Sequence, residues 1–262
     1  MRTYLKQWAI GPAVLLLLSL VGAPALAYDD EDPWEGLNRK VFAVNEFGDR
    51  WVVRPVARAY VAVTPRALRR GVTNVFSNIG EVPSALNGLL QAKPGHAGNS
   101  TGRFVVNSTV GLAGIFDVAR HVGLERRDRE DFGQTLAVWG TGQGPYMVLP
   151  VLGPSTLRDT LALPVEWYTD PITYIDHTRT RNSTVVYSYF HARAGLLDIE
   201  KAISGDRYTF IRDAYLQRRH FLIHDGEVED DFGAGFDDFG DYGDYGDYDD
   251  FGDEDDPDEF DF

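Results

Sequence analysis

The sequence predicts an all-α body with at most one small β hairpin, and three observations carry that prediction. Apolar residues recur at helical spacing rather than in alternation. Proline and glycine punctuate residues 33–222 about every 10–20 positions, and several of these breaks have the form of a helix start. Only one short segment, Tyr146 to Leu152, is both apolar and extended in character.

The elements follow in chain order. Asp32-Pro33 opens a helix running through Phe47. Thr64-Pro65 opens another, with Thr64 as N-cap. Leu68, Val72, Val75, Phe76 and Ile79 share one side of it, with Arg66, Arg69, Arg70, Asn74 and Asn78 largely opposite. Burying those five apolar side chains would contribute on the order of 10 kcal/mol. A separate helix is expected from Glu81 to Gln91, with Pro83 in its first turn and Leu86, Leu89 and Leu90 as its face. Pro150 interrupts the apolar run after Tyr146, which limits it to an edge strand or hairpin arm. The longest clean helical stretch is expected from Ser183 to Ser204, and Asp206 caps a last helix to Ile223.

The two ends differ from the body. Arg2 and Lys6 precede an apolar run from Ile10 to Gly22, and Ala25-Leu26-Ala27 has the small-x-small form of an export cleavage site. The run is short for a membrane span. Residues 1–27 therefore read as a cleaved signal peptide, 28–224 as one helical domain, and 225–262 as an acidic tail. The formal net charge is -15, yet 19 Asp and Glu lie from Asp225 onward with no Lys or Arg among them, so the body is close to neutral. The Gly-Asp-Tyr period of three from Gly240 matches neither helix nor strand, and repulsion opposes compaction, so disorder is expected there. It reads as a solvating tail or as a segment for a basic partner or divalent cations.

There is no cysteine, which excludes disulfides, thiolate metal sites and thiol nucleophiles. No G-x-S-x-G, H-E-x-x-H or G-K-[ST] pattern occurs. Gly140-Thr141-Gly142-Gln143-Gly144-Pro145 fails the dinucleotide pattern and reads as a hinge or tight turn. His220 and His224 share a helix face but have no third ligand at metal spacing. No catalytic residue, metal or cofactor is assigned. Asp128, Glu130 and Asp131 sit among arginines as a solvated charged segment. Arg54, Arg58, Arg66, Arg69 and Arg70 form a basic stretch on an exported, near-neutral body. That disfavours nucleic acid and leaves a solvated face or anionic lipid headgroups, with Arg66, Arg69 and Arg70 as headgroup candidates. Asn99, Asn107 and Asn182 each begin Asn-Ser-Thr and are read as caps or turns. Trp34, Trp51, Tyr60, Trp139, Tyr146, Trp167, Tyr168 and Tyr174 gather at segment ends, as at a membrane interface or in ordinary core packing.

Several blocks stand in a defined order along the body. The first holds Asp32, Pro33, Glu35, Asn38 and Arg39; the second holds Arg54 and Pro55. Asn74-Val75-Phe76-Ser77-Asn78, Arg103 to Gly111, Asp131 to Leu136, Trp139 to Tyr146, Leu157-Arg158-Asp159 and Tyr208 to Tyr215 follow, and the ordered set resembles the MlaA (VacJ) family of Gram-negative envelopes. The resemblance implies a ring of amphipathic helices in the inner leaflet of the outer membrane. It implies an amphipathic channel passing stray outer-leaflet phospholipid to a periplasmic MlaC-like carrier, association with a trimeric porin, and no covalent chemistry. It also implies a gate beside the channel, with Gly140, Gly142 and Gly144 as hinges. Asn38 to Trp51 matches a region whose lesions are expected to deregulate the channel. Family members usually carry an acylated cysteine after the leader, whereas here Tyr28 follows an ordinary cleavage site, so an exported protein held peripherally or embedded without a lipid anchor is expected. The runner-up is a soluble periplasmic lipid-binding or adaptor protein of the same pathway. An enzyme such as a phospholipase comes third, with Ser155 and His191 as the residues to test.

Overall fold

The computed structural model describes residues 32–203 and 205–227. The leader with its cleavage site, and the tail beyond Glu227, lie outside the described residues. The helices are α1 (Glu35–Gly48), α2 (Arg54–Val63), α3 (Arg66–Leu90), α4 (Pro94–Thr109), α5 (Phe132–Val138), α6 (Leu157–Thr169), α7 (Thr178–Gly195) and α8 (Arg207–Ile223). A π-helical turn, Asp49–Val53, joins α1 to α2, and short 3-10 turns lie at Ala119–Val122, Pro171–Tyr174 and Ile199–Ala202. Strands β1 (Tyr146–Leu149) and β2 (Gly153–Thr156) form the expected antiparallel hairpin, with Tyr146 opposite Thr156 and Leu149 opposite Gly153.

Local chemistry sets these boundaries. Asp206 caps α8 as expected, its carboxylate accepting from the Tyr208 N–H at 3.2 Å. Asp131 and Thr156 cap α5 and α6 in the same way, which the sequence reading did not anticipate. Thr64 is not the N-cap expected: it is the C-cap of α2, and Pro65 occupies the N-cap of α3 with no side-chain bond. The expected break at Pro83 is also absent. Helix α3 runs unbroken over 25 residues and is the longest helix described. Proline removes one intrahelical bond, a loss that packing against α4 outweighs. The stretch expected from Ser183 to Ser204 instead starts at Thr178, where the His177 ring accepts from Thr180 N–H, and ends at Gly195.

Contacts between elements run in a closed circuit. Helix α1 meets β1, β2 meets α8, α8 meets α5, and α5 meets α3. From α3 the circuit passes through Pro171–Tyr174 to α7, then α2, then the π turn back to α1. Two asparagines, seven residues apart on α1, hold the hairpin into this circuit. Asn38 donates to the Tyr146 carbonyl at 3.1 Å and accepts from the Val148 N–H at 3.0 Å. Asn45 donates to the Leu149 carbonyl at 2.9 Å and accepts from the Val151 N–H at 2.8 Å. The outer edge of β1 is thus satisfied by side-chain amides instead of a third strand.

The burial pattern inverts the sequence expectation. On α3 the buried residues are Thr73, Phe76, Ser77, Asn78, Glu81, Ser84, Asn87 and Gly88. Of the five apolar residues expected in the core only Phe76 is buried, and Leu68 is exposed. Leu86, Leu89 and Leu90 are exposed too, Leu89 at 64%. The ledger of about 10 kcal/mol therefore does not apply in water. Helical period located the two faces correctly, but period cannot say which face turns inward. Here the polar face carries hydrogen-bond partners from α4, α5 and the 117–130 segment, and it takes the interior.

Candidate lipid-facing surface and polar interior

Four buried polar clusters hold the interior, each built from helices distant in sequence. In the first, Arg103 of α4, 2% exposed, donates to Glu81 of α3 at 2.7 Å, to Asp117 at 3.0 Å and to the Leu124 carbonyl at 2.7 Å. Asn107 completes it, donating to Asp117 at 3.0 Å and accepting from the Ala119 N–H at 2.8 Å. Burial opposes the charge on Asp117, but its bond to Arg103 more than offsets that and holds the carboxyl below the usual range.

The second cluster joins α5, α6 and α8. Arg219 pairs with Asp131 and with Asp159, the latter at 2.9 Å, and Tyr215 donates to Asp159 at 2.7 Å. Burial opposes ionisation of Asp159 also, yet Arg219 and Arg158 keep it below the usual range. Glu166 behaves oppositely. Burial and the adjacent Asp131 carboxylate push it up to about 8, so it keeps its proton at neutral pH. The third cluster gathers Gln91, Glu130 and Thr135, with Gln91 donating to Glu130 at 2.8 Å and Thr135 to Asn87 at 2.9 Å. The fourth is a relay across α2, α3 and α7. Tyr187 and Tyr60 hydroxyls meet at 3.1 Å, Tyr60 meets His191 Nδ1 at 3.0 Å, and His191 Nε2 meets Thr73 at 2.9 Å. Burial, with a smaller contribution from Arg69, lowers His191 to about 4 and keeps it neutral.

Outside, the composition reverses. Phe47, Trp51, Val63, Leu68, Val110, Leu112, Phe116, Val151, Trp167 and Tyr174 are among the exposed large apolar residues, Trp51 at 68%. Isolated exposed leucines are ordinary, but buried polar residues beneath a broad exposed apolar surface are informative. None of the helices described is long and apolar enough to cross a membrane.

The residues singled out by sequence fall in three places. Asp32, Asn38 and Arg39 join the start of α1 to the start of α8: Asn38 donates to Asp32 at 2.8 Å, Tyr208 donates to Asp32, and Arg39 pairs with Asp206 at 2.7 Å and lies over the Tyr208 ring. Pro33 precedes α1, and Glu35 pairs with Arg39 at 2.6 Å. Arg54 bonds Asp49 at 3.0 Å and pairs with Glu200, while Pro55 lies in the first turn of α2. Arg193 bonds the same Asp49 at 2.7 Å, tying the π turn to α7. Asp32, Asn38, Arg39 and Arg54 are therefore braces between elements. Arg66 and Arg70 are exposed, and Arg69 is half-buried beside His191.

The glycine-rich stretch links α5 to β1 and is largely exposed. Gly140 has φ +91° and Gly144 φ +67°, whereas Gly142 has no left-handed φ. Its two ends are tied by backbone bonds, Thr141 N–H to Leu136 at 2.9 Å and Arg158 N–H to Gln143 at 3.2 Å. Sequence reasoning missed Asn45, Arg193 and the Tyr187–Tyr60–His191–Thr73 relay, since spacing alone does not reveal partners over 100 residues away. The Ser155 hydroxyl faces Thr160 at 2.9 Å and His191 is engaged by Tyr60 and Thr73, so neither is paired with the other as nucleophile and base. Among the described residues no group of three or more His, Asp or Glu side chains is placed to hold a metal.

Fold and site together define a class: a closed helical assembly with a hydrogen-bonded polar interior, an apolar exterior and no spanning helix among its described residues. The family model for the MlaA lipoprotein matches residues 30–222, and the chain belongs to that family. It is similar to the intermembrane phospholipid transport system lipoprotein MlaA of Shigella flexneri, 33% identical with 87% of this chain and 92% of that protein covered. The protein of the same name from Escherichia coli is 31% identical over the same shares. A solved structure, described under the structural basis for maintenance of bacterial outer membrane lipid asymmetry, matches with TM-score 0.66 at 33% identity. It covers 74% of this chain and 100% of that chain.

Proposed function

We propose that this protein is a phospholipid translocation channel of the outer membrane, which removes mislocalised phospholipid from the outer leaflet and passes it to a periplasmic carrier. The observation that carries the reading is the inversion: polar side chains outnumber apolar ones in the interior, where Tyr146, Val148, Tyr208 and Leu216 form one small apolar cluster, and many large apolar side chains lie on the outside. Acyl chains solvate such an exterior without cost, and a polar interior offers a charged headgroup a route past them. The names of the similar proteins support the pathway. The chain has no cysteine to acylate, and the apolar surface supplies membrane affinity by itself, with a trimeric porin as an additional support. Gly140, Gly142 and Gly144 act as the hinges of a gate. Transport of this kind makes and breaks no covalent bond, so the protein is not an enzyme.

Outer-leaflet phospholipid in a deletion strain, with and without the full-length protein supplied from a plasmid, tests the reading. A rise on deletion that is reversed by complementation is expected. An unchanged outer leaflet in a strain without paralogues would overturn it in favour of the soluble adaptor.

A further inference from the structure

Helix α7 carries a groove on its surface. Arg179, Thr180, Ser183, Thr184 and Tyr187 line an open groove of about 430 Å³. Their spacing places all five on one side of the helix. Val185 and Val186, around the helix from this side, are exposed and apolar. The groove thus runs along the boundary between a polar and an apolar surface.

Its chemistry is asymmetric along the helix. At the N-terminal end Arg179 offers a guanidinium that has no ion pair among the described residues, unlike the arginines of the interior. A guanidinium in that state takes a phosphate oxygen pair in fork geometry. One turn on, about 6 Å along the axis, the Ser183 hydroxyl donates back to the Arg179 carbonyl at 2.8 Å and that of Thr184 to the Thr180 carbonyl at 3.0 Å. With their protons committed to the helix, both oxygens are left as acceptors. Tyr187 closes this end with an aromatic face, and its hydroxyl leads to Tyr60 and the buried His191. Acceptors beside an aromatic face suit a cation.

We infer that the α7 groove binds the zwitterionic headgroup of a phospholipid, with Arg179 on the phosphate and the Ser183 and Thr184 oxygens with the Tyr187 ring on the ammonium. This rests on the lipid-transport reading and sharpens it to a headgroup class. A headgroup ending in neutral hydroxyls, such as glycerol, meets the same arginine but gains less from acceptors and ring, so the groove discriminates between the two.

Binding of short-chain phosphatidylethanolamine and short-chain phosphatidylglycerol to the full chain in detergent tests the inference, with glycerol phosphate as a control that lacks acyl chains. The wild type is expected to favour phosphatidylethanolamine several-fold. Arg179→Ala should weaken both lipids by about tenfold, the loss of one charge-assisted contact. The pair Ser183→Ala and Thr184→Val should weaken phosphatidylethanolamine alone and abolish the preference. All these side chains except Thr184 are exposed, and unchanged circular dichroism would show that the variants fold. Equal binding of both lipids by the wild type, affinity unmoved by Arg179→Ala, or glycerol phosphate binding as tightly as the lipids would overturn the inference. Failure of the transport reading shows separately, as an outer leaflet that does not change on deletion.

Discussion

At the residue scale, two interior side chains make predictions in opposite directions. His191 is 1% exposed and titrates near 4 in the folded protein, against about 6.5 when unfolded. Between these values the unfolded imidazole takes up a proton that the folded one refuses. Stability is therefore fully present above pH 6.5 and is lost on acidification to pH 4, by about 3 kcal/mol. Urea midpoints across this range should fall less steeply in His191→Gln than in the wild type; parallel curves would show that the ring protonates in place. Tyr146 is fully buried, and its hydroxyl has no hydrogen-bond partner among the described residues. An unsatisfied buried hydroxyl costs about 1–3 kcal/mol, so Tyr146→Phe should raise the melting temperature by a few degrees. A lower melting temperature would reveal a partner for that oxygen. The sequence marked both residues as notable, Tyr146 as a strand start and His191 as a test of catalysis. Their partners Tyr60, Thr73 and Asn38 lie 108 to 131 residues away, and no local pattern announces such pairings.

At the scale of elements, the glycine-rich link divides into unlike positions. Gly144 combines a φ of +67° with a space already filled, since an added Cβ would lie 2.9 Å from Leu157 Cβ. Gly140 has φ +91° and open space around it. Gly144→Ala should therefore cost more stability than Gly140→Ala, itself about 1 kcal/mol. If the link is a gate, Gly142→Ala should still alter lipid passage, which outer-leaflet phospholipid in complemented cells measures. Passage that tracks only thermal stability across the three variants would make the link a plain turn. Helix starts at Asp206 and the hairpin with Pro150 in its turn were legible, because capping and proline act locally. The continuity of α3 through Pro83 was not, because it depends on packing against α4. Nor were the caps at Asp131 and Thr156, or α2, α4 and α6: α2 is strongly amphipathic, yet it is only ten residues long and follows α1 through a helical turn with no break to mark its start.

At the scale of the whole molecule, the all-α class with one hairpin could be read from punctuation and period, and the family from ordered motifs. The inside and outside of the assembly could not. Amphipathic period gives two faces, and water-based reasoning assigns the apolar face to the core. On α3 this protein assigns it to the exterior, while α1 and α8 turn Phe42, Tyr208 and Leu216 inward around Tyr146; the rest of the interior is held by Arg103, Glu81 and Asp117, by Arg219 with its carboxylates, and by the His191 relay. Those buried ion pairs survive because each charge has several hydrogen-bonding partners. The aromatic side chains at segment ends, ambiguous in sequence, divide accordingly: Trp51, Trp167, Tyr168 and Tyr174 are exposed, whereas Tyr146 is interior.

The central claim is that the exposed apolar surface sits in lipid. Quenching of tryptophan fluorescence by brominated phospholipid tests it most directly, using full-length protein with Trp51 or Trp167 as the sole tryptophan, mixed with vesicles and washed at high salt. Strong quenching at both positions that survives the wash is the predicted result. Quenching at neither, with protein released by salt, would contradict the account and leave a soluble protein whose apolar exterior has another cover.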